Sequence, residues 1–121
     1  MPAGEFDLIE RYLRGLGAAR RDVVLGVGDD CALVRPPPDQ HLALAADTIV
    51  AGVHFPEGLA PADVGHRVLA VNLSDLAAMG ADPAWALLTL TLPRSDEAWL
   101  AGFAAGFGAL AARHGTALVG G

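Results

Sequence analysis

Only one cysteine, Cys31, stands in the 121 residues, so no disulfide closes within the chain and a cysteine-based zinc site is excluded. Basic residues are scarce too. Eight Lys and Arg against 14 Asp and Glu leave a formal charge of −6. That argues against nucleic acid as a partner, because a non-specific binder needs a basic face to displace counterions. No apolar run reaches the roughly 20 residues that cross a bilayer, so no membrane segment is expected. The stretch Met1–Asp7 has neither the basic nor the apolar region of a signal peptide, and cytoplasm is the expected location. Cys31 opens the short apolar stretch Cys31-Ala32-Leu33-Val34 and reads as a buried small hydrophobe rather than a nucleophile.

What remains is apolar and aliphatic. Hydrophobic residues make up 53% of the chain but aromatics only 6%, so the core must be mostly Ala, Leu and Val. The length suits one domain with one core. Mean hydropathy is positive. An apolar surplus without a membrane span points to surface buried against a partner or a further domain.

The stretch from Pro61 to Met79 organises the rest. Val64, Val68, Leu69, Leu73, Leu76 and Met79 recur at spacings of three and four, which predicts a helix with one buried stripe. Pro61 and Asp63 suit its first turn. Upstream, Gly4 to Gly17 reads as a short helix with Phe6, Ile9, Leu13 and Leu16 on one stripe. Val23-Val24-Leu25, Cys31–Arg35 and His41–Val50 read as strands, the last covered on both faces. Downstream, Ala84–Leu92 alternates as a strand, with Ala86, Leu88, Leu90 and Leu92 on one face. Ser95 is the expected N-cap of a helix running to about His114 along Trp99, Phe103, Phe107 and Leu110. Gly102, Gly106 and Gly108 in that helix suggest close packing against a sheet. Thr116–Val119 is a final strand. The expected fold is α+β: a mixed sheet with helices on one face, the other face needing cover.

The chemistry lies in acidic groups on separate elements. Gly26-Val27-Gly28-Asp29-Asp30 is neither a dinucleotide fingerprint nor a P-loop, since no third Gly and no Gly-Lys-Ser/Thr follows. Paired carboxylates on a tight turn repel unless a cation joins them, although acidic glycine turns are also common without one. Asp47 ends the buried strand, and Asp75 shares a helix face with Asn72 beside the apolar stripe. Asp75 alone is read as a solvated helix carboxylate or as a ligand, whereas Asp47 at the end of a buried strand is less ordinary. Magnesium takes oxygen ligands, usually one or two carboxylates with waters and substrate phosphates. His54 reads as a phosphate donor, an acid or base, or a plain loop residue. Residues alone reach a cytoplasmic α+β domain, with a metal-dependent phosphate site as one reading.

Resemblance goes further. Gly4-Glu5-Phe6-Asp7-Leu8-Ile9, Gly26-Val27-Gly28-Asp29-Asp30-Cys31-Ala32, Asp47-Thr48-Ile49-Val50-Ala51-Gly52-Val53-His54-Phe55 and Ala70–Ala81, with its Asn72-Leu73-Ser74-Asp75, resemble the thiamine-monophosphate kinase family in order and spacing. The glycine-acid and Asn-Leu-Ser-Asp motifs are shared with the wider aminoimidazole ribonucleotide synthetase superfamily. The resemblance implies direct phosphorylation of thiamine monophosphate to thiamine diphosphate by ATP with several Mg2+ ions, in a homodimer. It implies Asp30, Asp47 and Asp75 as magnesium ligands, Asp29 as a weaker one, and His54 as a substrate contact. Gly120 and Gly121 resemble the start of a Gly-Gly-Asp-Thr nucleotide motif. Ala45-Ala46 stands where the family has Ser or Thr, which leaves only backbone carbonyls, such as that of Ala46, to coordinate. Residues 1–121 are thus expected to be an N-terminal ATP- and magnesium-binding, dimerising domain, inactive as a kinase without a C-terminal domain. The alternatives are a selenophosphate synthetase or hydrogenase-maturation type enzyme of the superfamily, or a non-catalytic dimerisation or nucleotide-binding module if the gene ends here.

Overall fold

Helices α2 (Pro61–Ala78) and α3 (Glu97–Arg113) are the frame to which the other elements attach. The computed structural model describes residues 4–121. Residues 1–3, the start of the stretch read for a signal peptide, lie outside the described residues. Pro61 sits in the first turn of α2 with Asp63, as the helix dipole favours. The helix closes at Gly80, whose positive φ of 67° suits a C-terminal cap, with the Ala81 N–H reaching the Leu76 carbonyl at 3.0 Å. Asp96, not Ser95, caps α3: its carboxylate accepts the Trp99 N–H at 3.0 Å. A carboxylate there also meets the positive end of the helix dipole, which a hydroxyl does less well.

The aromatic row of α3 is the core. Phe103, Phe107 and Leu110 are buried, and the ring centroids of Trp99, Phe103 and Phe107 follow one another at 5.2 and 6.1 Å. From α2 come Val64 and Leu69, with Val68 and Leu73 partly buried around them. Met79, expected on the same stripe, is 80% exposed, because the helix has ended and its last turn passes beyond α3. The glycines of α3 face the other helix rather than a sheet. A Cβ on Gly106 would stand 1.9 Å from the Ala62 carbonyl oxygen, and one on Gly65 would stand 2.1 Å from that of Phe103. The two helices therefore touch backbone to backbone. Gly108 instead faces Leu16.

Strand β4 (Ala117–Gly120) lies against α3 with Leu118 in the core. It pairs in parallel with β3 (Trp85–Leu87), Trp85 opposite Ala117 and Leu87 opposite Gly120. Its other edge bonds the segment Leu16–Ala18: Ala18 N–H to Thr116 O at 2.8 Å, and Leu118 N–H to Leu16 O at 3.0 Å. Ala86, Leu88 and Leu90 face the core as the alternation predicts, whereas Leu87 on the opposite face is exposed. The hairpin of β1 (Val23–Leu25) and β2 (Leu33–Val34) is antiparallel. The fold is α+β, in two small paired pieces: one antiparallel, one parallel.

Three expected elements differ. His41–Val50 forms no strand, and only Ile49 of it is even partly buried. A strand needs a neighbouring ladder, and among the described residues this segment pairs with no strand. For the same reason β3 stops at Leu87 rather than Leu92, since β4 ends at Gly120. The first helix (α1, Glu5–Leu8) widens into a π-helical turn over Ile9–Leu13, the Arg14 N–H reaching Ile9 O at 3.0 Å. The extra residue breaks the 3.6 period, and Phe6 leaves the stripe at 84% exposure. No helix among the described residues is long and apolar enough to cross a membrane.

A polar clamp joins the hairpin to the parallel pair. Arg20 grips Asp22 with two prongs, Nε to Oδ1 at 2.9 Å and Nη2 to Oδ2 at 2.7 Å. Trp85 Nε1 donates to the same Oδ1 at 3.1 Å. The hydrogen bond from Arg20, helped by that from Trp85 and opposed by partial burial, holds the Asp22 carboxyl below its ordinary range.

Gly106→Ala should destabilise the chain by at least about 1 kcal/mol in chemical denaturation, although Ala is the better helix former, because the added methyl meets backbone. Unchanged stability would mean the helices can separate freely. A lowered folded-state pKa stabilises above the unfolded value and loses that contribution as pH falls through the folded one. Asp22→Asn should therefore be less stable than the parent at neutral pH, with the gap closing below about pH 4. Urea midpoints across that range check this; a gap independent of pH would contradict it.

Candidate functional site

The acidic turn hangs at the tip of the β1–β2 hairpin. Asp29 and Asp30 are exposed, and Asp29 Oδ1 accepts the Asp30 N–H at 2.8 Å. Gly28 turns the chain at φ 116°, with the Arg14 guanidinium against it. Cys31 is exposed here, not buried: the apolar run begins while the chain is still in the turn. Ala32 then brings the returning arm to β4, 3.8 Å from where a Cβ on Gly120 would sit.

Gly121 follows at φ 149°, and a Cβ there would fall 1.7 Å from the Leu88 carbonyl oxygen. Only glycine fits, because the Leu88 main chain occupies the place of a side chain. Ala46 and Asp47 lie in the extended segment that forms no strand. Asp47 Oδ1 accepts the Thr48 N–H at 2.9 Å. A groove of about 2150 Å³ is lined by Asp29, Asp30, Ala46, Asp47, Asn72, Gly120 and Gly121 among others.

His54 sits in a tight turn beside that segment. Its Nδ1 accepts the Val50 N–H at 2.9 Å, so the neutral ring carries its proton on Nε2. Arg67 donates to the His54 carbonyl at 3.2 Å, pinning the turn to α2. His54 and Asp75 lie outside the groove lining, and Asp75 is exposed on α2. Asp30 and Asp47 both border this long open groove, and Asp75 lies outside it. Among the described residues no three His, Cys, Asp or Glu groups gather closely enough to hold a metal ion. The donors are nonetheless all oxygens, which is the chemistry a hard divalent cation takes.

Asn72 carries more than its place on the helix face foretold. Its Nδ2 donates to Val68 O at 2.9 Å, and its Oδ1 is buried without a hydrogen-bond partner among the described residues. A buried acceptor without a donor costs on the order of 1–3 kcal/mol. The Asn at i+4 from an apolar residue was visible in the sequence; the empty acceptor is a matter of three-dimensional packing.

Residues 28–121 match the family described as AIR synthase related protein, N-terminal domain. The chain belongs to this family. Within the AIR synthase related family, it is similar to a thiamine-monophosphate kinase of Escherichia coli, 59% identical over 103 residues, 85% of this chain and 32% of that protein. It is 53% identical over 121 residues to a thiamine-monophosphate kinase of Salmonella typhimurium, covering 100% of this chain and 37% of that one. The crystal structure of a thiamine-monophosphate kinase from Stenotrophomonas maltophilia superposes with a TM-score of 0.81 at 48% identity, over 99% of this chain and 38% of the other. The chain spans about a third of the length of the curated relatives it matches.

Proposed function

We propose that this chain is the ATP- and magnesium-binding, dimerising N-terminal domain of a cytoplasmic enzyme that phosphorylates thiamine monophosphate to thiamine diphosphate. The observation that carries the reading is the identity of 53% across the whole chain to a protein named thiamine-monophosphate kinase. It draws support from the open groove that Asp29, Asp30, Asp47, Gly120 and Gly121 all help to line. In this reading Asp29, Asp30, Asp47 and Asp75, with the Ala46 carbonyl, hold Mg2+. Magnesium, when bound, supplies the positive charge that an acidic site needs before it can take a triphosphate. Gly120 and Gly121 would offer main-chain groups to the nucleotide at the end of β4. His54 presents its Nε2–H as a donor to the substrate phosphate. Positioning and charge neutralisation do most of the work in phosphoryl transfer, so the residues' task is to orient rather than to bond covalently.

The test is formation of thiamine diphosphate from thiamine monophosphate and magnesium-ATP by the full-length protein that carries this sequence. Asp30→Asn and Asp47→Asn should each lower kcat/KM by about 100-fold or more, the usual cost of removing a preorganised electrostatic group. A protein that makes no thiamine diphosphate, or an Asp30→Asn variant with full activity, would overturn the reading. Dimerisation finds its support in the apolar groups left uncovered: Leu42, Leu44, Val53 and Leu87. Sedimentation should show a dimer that weakens in Leu44→Asp; a parent that stays monomeric at its highest soluble concentration would remove the dimer.

A further inference from the structure

The geometry points to Arg20, Asp22 and Trp85 as positioning residues that hold the Asp29-Asp30 turn beside the Gly120-Gly121 end of β4. The inference rests on the nucleotide-site reading above and concerns residues that lie outside the acidic motifs.

The hairpin cannot hold itself. It has two ladder pairs, Val23 with Val34 and Leu25 with Leu33, and its register shifts between them. A lone two-stranded hairpin is marginal in water. Something outside it must fix where its tip lies. Asp22, at the base, is the point of attachment. Its carbonyl accepts the Arg35 N–H at 2.7 Å, which closes the hairpin across its two arms. Its carboxylate takes Arg20 and the Trp85 indole, the first residue of β3. Arg20 Nη1 in turn donates to the Gly115 carbonyl at 2.8 Å, just ahead of β4, and its guanidinium lies 5.7 Å from the Trp85 ring centre. The base is therefore tied to the leading ends of both β3 and β4.

The tip meets the other end of the same pair. Ala32 approaches Gly120, which stands opposite Leu87 at the far end of β3. The hairpin thus touches the parallel pair at two points, its base and its tip, and loosening the base removes one of them. The clamp also differs from the ordinary surface pair between Arg14 and Glu10, whose side chains are 55% and 64% exposed, against 28% and 23% for Arg20 and Asp22. A two-pronged charge-assisted grip that is mostly shielded sets geometry as well as charge.

The test is a double-mutant cycle on magnesium-ATP binding by the chain, with amide hydrogen exchange as a second readout. Asp22→Asn should weaken binding about tenfold when Asp30 is present and have little effect in the Asp30→Asn background, since coupled neighbours are non-additive. Trp85→Phe, which keeps the ring and loses one donor, should fall between parent and Asp22→Asn. In both clamp variants, exchange at residues 28–32 should quicken while α3 stays protected. Additive losses, or unchanged exchange at 28–32 in a folded Asp22→Asn chain, would overturn the positioning role. If Asp30→Asn alone leaves magnesium-ATP binding intact, the nucleotide reading fails instead, and the exchange data still decide whether the clamp holds the turn.

Discussion

Helices α2 and α3 meet through their backbones, and the remaining architecture is arranged around that contact. Gly65 and Gly106 each face a carbonyl oxygen of the opposite helix, so the interaxial distance is set by main chain rather than by side-chain bulk. So close an approach brings Val64 and Leu69 onto the ring row of Phe103 and Phe107, leaving room for large aromatics only along one line. Strand β4 then has one place to lie, against α3. The parallel partner β3 and the antiparallel segment at Leu16–Ala18 are fixed on its two edges. The acidic turn is located by its attachment to this sheet, not by its own ladder.

The helices are legible in the sequence because a helix satisfies its backbone locally. Pro61 with Asp63 marks one start, and the Trp99, Phe103, Phe107 and Leu110 spacing marks the other helix and its inward face. Strands are properties of pairs. The alternation in Ala84–Leu92 correctly separates Ala86, Leu88 and Leu90 from Leu87, yet it says nothing about where the neighbouring strand stops. His41–Val50 is also rich in small and apolar residues but pairs with no strand, so it stays exposed. Cys31 misleads for a related reason: an apolar run four residues long does not reveal that its first residue is still rounding a turn.

The site shows a similar division. Asp29, Asp30 and Asp47 can be picked out from their glycine turn and their strand-like stretch, and all three border the same open groove as Gly120 and Gly121. The residues that hold them cannot be picked out this way. Arg20, Asp22 and Trp85 are far apart in the chain, sit in no motif, and become a unit only through hydrogen bonds. Motifs record the groups that meet a ligand. The scaffold that aims those groups is distributed, and its members look ordinary one at a time.

The wide turn at Ile9–Leu13 has a consequence for the history of the chain. A π-turn is an α-helix that has accepted one additional residue without breaking. Removing one residue there would let α1 and the turn merge into a regular helix and rotate everything before it by about 100°. Phe6, now facing outward, would swing toward the surface that Tyr12 and Leu13 already cover. Single-residue indels at this point therefore act as a dial on which side chains the N-terminal helix presents, while the Arg11 and Tyr12 bonds to Glu97 that fasten it to α3 lie at the pivot.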